Sequence, residues 1–217
     1  MSFSLAAFAA RCNIIEPDRF AVRCEKLRCF LEDYNHNVNL TRITGKEDFE
    51  LKHAADSLSI FLQFPELLKK SIRIADIGCG AGFPSLILAL AVPEWDITAI
   101  DSTGKKITFV NSAAEYLGLK NLRTVHGRAV ELNCKAEFRQ QFDIVTARAV
   151  APSPKIYNET KNFLRHNGRY IFYKTPSQAE EEFPELARIK NVSWQLGDVF
   201  ELPQDSGCRR FIIGVPR

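Results

Sequence analysis

No stretch of this 217-residue chain is apolar for long enough to cross a membrane. The longest such run, Leu86 to Val92, is seven residues, against the roughly 20 that a transmembrane helix needs. A charged start followed by a signal-peptide run is also missing: Arg11 comes after Phe3, Leu5 and Phe8, which are spaced like one face of a helix. The expectation is a cytoplasmic protein without membrane contact. The six cysteines include no CxxC pair, and no His/Cys cluster has zinc spacing. Reduced thiols and no metal are therefore expected. Internal repeats and low-complexity runs are lacking too. With 46% apolar and 25% charged residues, the composition excludes a disordered chain, a coiled coil and a disulfide miniprotein. The length suits one domain, or one domain with an extension, and a monomer is expected.

The net charge of +3 says less than its distribution. Residues 1–70 hold ten basic and ten acidic side chains, whereas residues 101–174 hold thirteen against six. Such a concentration reads either as a solvated face or as a footprint for phosphates.

The first 70 residues read as a helical extension packed on the remainder. Phe20, Leu27, Phe30 and Leu31 share one helical face. A polar loop is expected at Asn35-His36-Asn37, then a second amphipathic stretch over about 46–68. From residue 71 onward the pattern alternates. Strand-like segments fall at 72–77, 96–101, 122–126, 142–147 and 169–174. Helix-like segments fall between them, at 84–91, 105–117, near 135–140 and at 154–164. This alternation predicts a doubly wound, mostly parallel sheet with helices on both faces. A polar helix at 177–189 and strands at 192–202 and 208–215 follow. The short connection between those two strands implies an antiparallel C-terminal hairpin, which completes seven strands.

One loop carries cofactor chemistry. Asp76-Ile77-Gly78-Cys79-Gly80-Ala81-Gly82-Phe83-Pro84 joins the first strand to its helix. Glycines let the backbone turn sharply and approach a ligand. Asp101 ends the next strand, where a carboxylate can accept hydrogen bonds from both hydroxyls of a ribose. The dinucleotide fingerprint G-x-G-x-x-G fails, since its third glycine would fall at Phe83. A pyrophosphate also prefers bare amides and a positive helix end. Asp76 beside the loop instead suits the cationic amino-acid end of S-adenosyl-L-methionine.

Five segments together resemble the bacterial 16S ribosomal RNA guanine-N7 methyltransferase family (RsmG/GidB), within the S-adenosylmethionine-dependent methyltransferases of Rossmann-like fold. They are Val38-Asn39-Leu40-Thr41, His53-Ala54-Ala55-Asp56-Ser57-Leu58, Asp76 through Pro84, Asp101-Ser102-Thr103-Gly104-Lys105-Lys106, and Thr146-Ala147-Arg148-Ala149-Val150-Ala151. The resemblance implies cofactor contacts at Gly78, Phe83, Ala129, Val130 and Arg148, with Asp76 and Gly80 in the same loop and Asp101 on the ribose. Two departures stand out. The Arg-Ala-Glu of the family reads Arg128-Ala129-Val130-Glu131 here, and Ser85 occupies the family's usual glycine after the proline.

The activity implied is methyl transfer to N7 of a guanine in the 530 loop of small-subunit ribosomal RNA. That atom carries a lone pair and no proton, so orientation rather than a general base is expected to drive catalysis. RNA contacts are expected at Lys105, Lys106, Arg148, Lys174 and His53. Bland readings stand beside these: a helix-packing histidine for His53, a structural ion-pair partner for Arg148, and a small loop residue for Cys79. A methyltransferase of another RNA, a small molecule or a protein is the alternative, as is a non-catalytic nucleotide-binding or RNA-binding module.

Overall fold

The computed structural model describes residues 3–38, 40–41 and 45–217. Asn39, within the expected Val38–Thr41 motif, lies outside the described residues.

Five parallel strands form the centre: β1 (Arg73–Ile77), β2 (Asp96–Asp101), β3 (Leu122–His126), β4 (Phe142–Arg148) and β5 (Leu164–Lys174). Strands β6 (Val192–Leu196) and β8 (Cys208–Pro216) extend the sheet antiparallel, in the order β3-β2-β1-β4-β5-β8-β6. This is the doubly wound sheet with an antiparallel C-terminal edge that the alternation predicts. A two-residue strand, β7 (Phe200–Glu201), pairs with β8 off this path. The expected 192–202 strand is thus broken at 197–199, where Gly197 donates to the Phe211 carbonyl and Gln63 donates to that of Asp198.

Successive strand residues feed opposite cores, as a pleat requires. Ile144 and Ile171 point into one apolar cluster, and Val145, Tyr170 and Phe172 into the other. The first cluster takes α6 (Ser85–Ala91), α7 (Gly104–Tyr116) and the N-terminal helices α1 (Leu5–Arg11) and α2 (Pro17–Val38). The second takes α8 (Ala129–Leu132), α9 (Ser153–Thr160) and α10 (Pro176–Ala187). Every residue of α6 is buried. Its sequence, apolar all round, fits a helix sandwiched between the sheet and the N-terminal helices.

The N-terminal segment departs from expectation in two places. The Asn35-His36-Asn37 loop is instead the last turn of α2. Asn35 accounts for the polar signal: its Oδ1 accepts the backbone N–H groups of Leu40 and Thr41, and its Nδ2 donates to the Thr41 carbonyl. The expected 46–68 helix is a broken series. It comprises α3 (Lys46–Asp48), a π-helical turn (Phe49–Ala55), α4 (Asp56–Leu58), α5 (Ile60–Gln63) and a 3-10 turn (Pro65–Lys69). Near 135–140 there is only a 3-10 turn (Ala136–Phe138), preceded by the short α8.

Candidate active site

Crossovers leave β1 and β4 in opposite directions, so a crevice opens at their carboxyl ends. A cleft of about 670 Å³ lies there, lined by the glycine loop, Asp101, Lys106, the segment after β4, the end of β5, residues of the N-terminal helices, and Ser206 just before β8 and Arg209 at its start. A smaller hollow of about 250 Å³, between the start of α2 and the end of α6, lies away from these strand ends.

Gly78, Gly80 and Gly82 all take left-handed backbone conformations, which glycine adopts without a Cβ penalty. At Gly78 an added Cβ would also collide with the Val150 side chain. Asp101 is buried and braces this loop. One carboxylate oxygen accepts the Gly80 N–H at 2.9 Å and the other the Thr103 N–H at 2.8 Å. Asp76 is buried beneath the loop. Its Oδ2 accepts both the N–H and the hydroxyl of Ser85, whereas Oδ1 has no hydrogen-bond partner among the described residues. Burial lifts the Asp76 carboxyl to about 6, partly opposed by the Ser85 hydrogen bond and the nearby Arg148 charge. Burial likewise pushes the Cys79 thiol well up, so this cysteine is not an activated nucleophile.

The HxxDS segment meets the cleft through Arg148. The guanidinium of Arg148 donates to Asp56 Oδ2 at 3.0 Å, to the Lys52 carbonyl at 2.8 Å, and lies 3.2 Å from His53 Nδ1. His53 stacks on the Phe83 ring, with centroids 3.9 Å apart and planes 6° from parallel. The π-helical turn that carries His53 brings it into register with the glycine loop; such turns often occur at functional sites. Arg209 on β8 completes the group, donating to both oxygens of Asp56.

Lys174 lines the cleft, but its side chain is 6% exposed and its ammonium donates to Glu182 at 2.8 Å and to the Ala151 carbonyl at 3.0 Å. Lys106 also lines the cleft, while Lys105 is exposed beside it on α7. Ala129 and Val130 are not in the lining; they open α8, just beyond β3, and Val130 is 48% exposed. Sequence reasoning finds the loop, Asp101 and Arg148. It assigns no role to Asp56 and does not single out Glu182 or Arg209, whose local sequences look like an ordinary polar helix and a strand.

Residues 23–196 match the family model GidB, described as rRNA small subunit methyltransferase G. A ribosomal RNA small subunit methyltransferase G of Streptococcus thermophilus is 41% identical over 186 residues, covering 84% of this chain and 78% of that one. The protein of the same name from Lactobacillus johnsonii is 34% identical over 211 residues, covering 96% and 87%. The chain belongs to this family. Among solved structures, a methyltransferase from Geobacter sulfurreducens superposes with a TM-score of 0.58 at 14% identity, over 88% of this chain and 90% of that one; this likeness speaks to the fold. The protein is accordingly an S-adenosylmethionine-dependent methyltransferase of small-subunit ribosomal RNA. The residues of the cleft fit such a cofactor. The left-handed glycine loop supplies close backbone approach, and Asp76, outside the lining and directly beneath that loop, holds a buried carboxylate oxygen that suits a cation. Among the described residues no helix is long and apolar enough to cross a membrane, and no group of three or more His, Cys, Asp or Glu could hold a metal ion.

Proposed function

We propose that this chain methylates N7 of a guanine in the 530 loop of 16S ribosomal RNA, acting in the cytoplasm as a monomer. The observation that carries this reading is the cleft itself, with Asp101 at its glycine-loop end, Asp76 buried beneath that loop, and cationic groups elsewhere on its wall. Asp76 Oδ1 would take the ammonium of S-adenosyl-L-methionine, Asp101 the ribose, and the Gly78–Gly80 backbone the closest approach. Phe83, stacked on His53, would close the amino-acid end, and Ala129 and Val130 would lie toward the adenine. Bound there, the cofactor supplies an electrophilic methyl group on a sulfonium.

The protein's own contribution is orientation. Guanine N7 needs no deprotonation, so no base need be poised against it, and alignment of donor and acceptor supplies the rate. Burial of Cys79 and engagement of His53 with Phe83 and Arg148 agree with this. Lys105 and Lys106, on the helix flanking the cleft, would hold RNA phosphates. His53, Arg148 and Lys174 lie deeper, tied to protein groups, and would shape the pocket that admits the base. That base must be unpaired or splayed out to enter.

Incubation with small-subunit RNA and cofactor carrying a labelled methyl group tests the reading. Label should appear as N7-methylguanine, located by the strand scission that this base permits after reduction. Label on another ring atom, or on protein alone, would overturn it.

A further inference from the structure

We propose that Glu182 of α10 is a positioning residue for methyl transfer, holding the Lys174 ammonium at the cleft and the 148–153 connection against the glycine loop. Both of its carboxylate oxygens turn inward. Oε1 accepts from Lys174 Nζ at 2.8 Å, and Oε2 accepts the Ser153 N–H at 2.7 Å. One side chain thereby joins the end of β5 to the first residue of α9. Neither member of the ion pair is exposed, at 6% and 13% for the two side chains, so solvent screens it little. The other acids of α10 behave differently: Glu181 and Glu185 are exposed, and Glu180 pairs with Arg210 near the surface.

The connection that Glu182 fixes is strained. Ala149 holds φ at +54°, a conformation that a residue with a Cβ keeps only when its surroundings impose it. Upstream, Arg148 is anchored on Asp56 and the Lys52 carbonyl. Downstream, the Ala151 carbonyl takes a Lys174 N–H and the Ser153 N–H is held by Glu182. Between the two anchors, Val150 packs over Gly78, so closely that no Cβ would fit there. Release of the downstream anchor would let Ala149 relax and Val150 move off the loop. Glu182 also orients Lys174. Two of the three ammonium N–H groups are spent on Glu182 and Ala151, and the residue lines the cleft. Among the described residues the third has no partner, and the O6 acceptor that guanine carries beside N7 suits a lysine donor.

This inference rests on the methyl-transfer reading above. Removing the charge of Glu182 leaves a buried ammonium without its counter-charge, so the melting temperature should fall; the positioning role is read separately, in the kcat of the folded variant. Glu182→Gln keeps an acceptor for Ser153 and removes the charge opposite Lys174. Glu182→Asp keeps the charge and draws it back by one methylene. Both are compared with wild type by thermal melting, by calorimetric titration of S-adenosylmethionine, and by kcat and KM for label transfer to small-subunit RNA. For folded Glu182→Gln, whose amide oxygen still accepts the Ser153 N–H and so keeps Val150 on the loop, kcat should fall about 100-fold through the displaced Lys174 while cofactor affinity holds, and Glu182→Asp should recover part of the loss. A folded Glu182→Gln with wild-type kcat would overturn the proposal. Should Glu182→Gln fail to fold, Glu182→Asp decides: reduced kcat at unchanged cofactor affinity supports the role, and unchanged kcat refutes it. Wild-type label on an atom other than guanine N7 would sink the preceding reading while leaving the kcat comparison between variants intact.

Discussion

Asp56 and Arg148, 92 residues apart in the chain, meet in a buried ion pair of 3.0 Å. Arg209, from the last strand, closes on the same carboxylate from the other side at 2.9 Å. A single acid from the N-terminal helical series therefore gathers two cations from the cleft end of the sheet, at the end of β4 and the start of β8. It fixes the position of those helices over the cleft and, through Arg148, the end of β4.

Removal of that acid should be costly. Asp56→Ala would leave two guanidinium groups largely out of water without a counter-charge, and breaking a buried pair from one side costs about 3–5 kcal/mol. Urea unfolding followed by circular dichroism measures this. Arg209→Ala should cost less, because Arg148 remains to balance Asp56. A loss below about 1 kcal/mol for Asp56→Ala, a level typical of exposed pairs, would mean that the group does not fasten the N-terminal helices.

Gly78→Ala should damage both stability and cofactor binding. The left-handed backbone alone costs a residue with a Cβ about 1–2 kcal/mol, and the new atom meets Val150. Gly80→Ala shares the backbone penalty without a close side-chain neighbour, since its nearest contact would be the Gly78 carbonyl at 3.9 Å. Melting temperature and calorimetric affinity should therefore fall further for Gly78→Ala than for Gly80→Ala. Equal effects would place the Val150 contact outside the determinants of the site.

The contrast between these residues shows what the sequence can and cannot convey. The glycine loop and Asp101 are legible because their signals are local: a turn directly after a strand, and an acid at the end of the next. Strand periodicity reveals the sheet for the same reason. The Asp56 clamp is not legible, because it joins residues up to 153 positions apart and nothing near Arg209 marks it as buried. Lys174 reads as an RNA contact from its place at a strand end. Its partner lies eight residues on, at Glu182, in a helix whose four glutamates look alike in sequence. The α2 terminus reads as a loop because Asn35 carries the composition of one, while its side chain ties down the chain beyond the helix.

Asp76 gives a pH dependence with a defined sign. Its carboxyl is raised by burial to about 6, above the roughly 3.9 of an unfolded aspartate. The group's contribution to stability of the ligand-free protein is fully present below about pH 4 and is lost as pH rises through about 6. Two units correspond to about 3 kcal/mol. Comparison with Asp76→Asn across pH 4–7 isolates this from other carboxylates: the difference in unfolding free energy should move against wild type as pH rises. Cofactor binding should run the other way. Pairing with an ammonium needs the ionised carboxylate, so wild-type affinity should increase through about pH 6 while that of Asp76→Asn stays flat. Parallel affinity profiles would remove Asp76 from the cofactor site.

The basic residues divide into two kinds, and salt dependence separates them. Lys105 and Lys106 lie on α7, one exposed and one lining the cleft. Lys174 is already matched by Glu182. Removing one phosphate-binding lysine should flatten the plot of log affinity against log salt by roughly 0.7–0.9. Replacement of Lys105 and Lys106 together by Gln should therefore flatten the slope for RNA binding by about 1.5 and leave S-adenosylmethionine affinity nearly intact. Lys174→Gln should leave the slope unchanged, because its charge is balanced within the protein, and should depress turnover instead. Filter binding of small-subunit RNA over a range of salt concentrations, on variants first shown to be folded, reads the slopes, and label transfer reads the turnover. A slope change for Lys174→Gln equal to that of one surface lysine would mean that its ammonium leaves Glu182 for a phosphate. An unchanged slope for the double variant would place the RNA backbone on another face of the molecule.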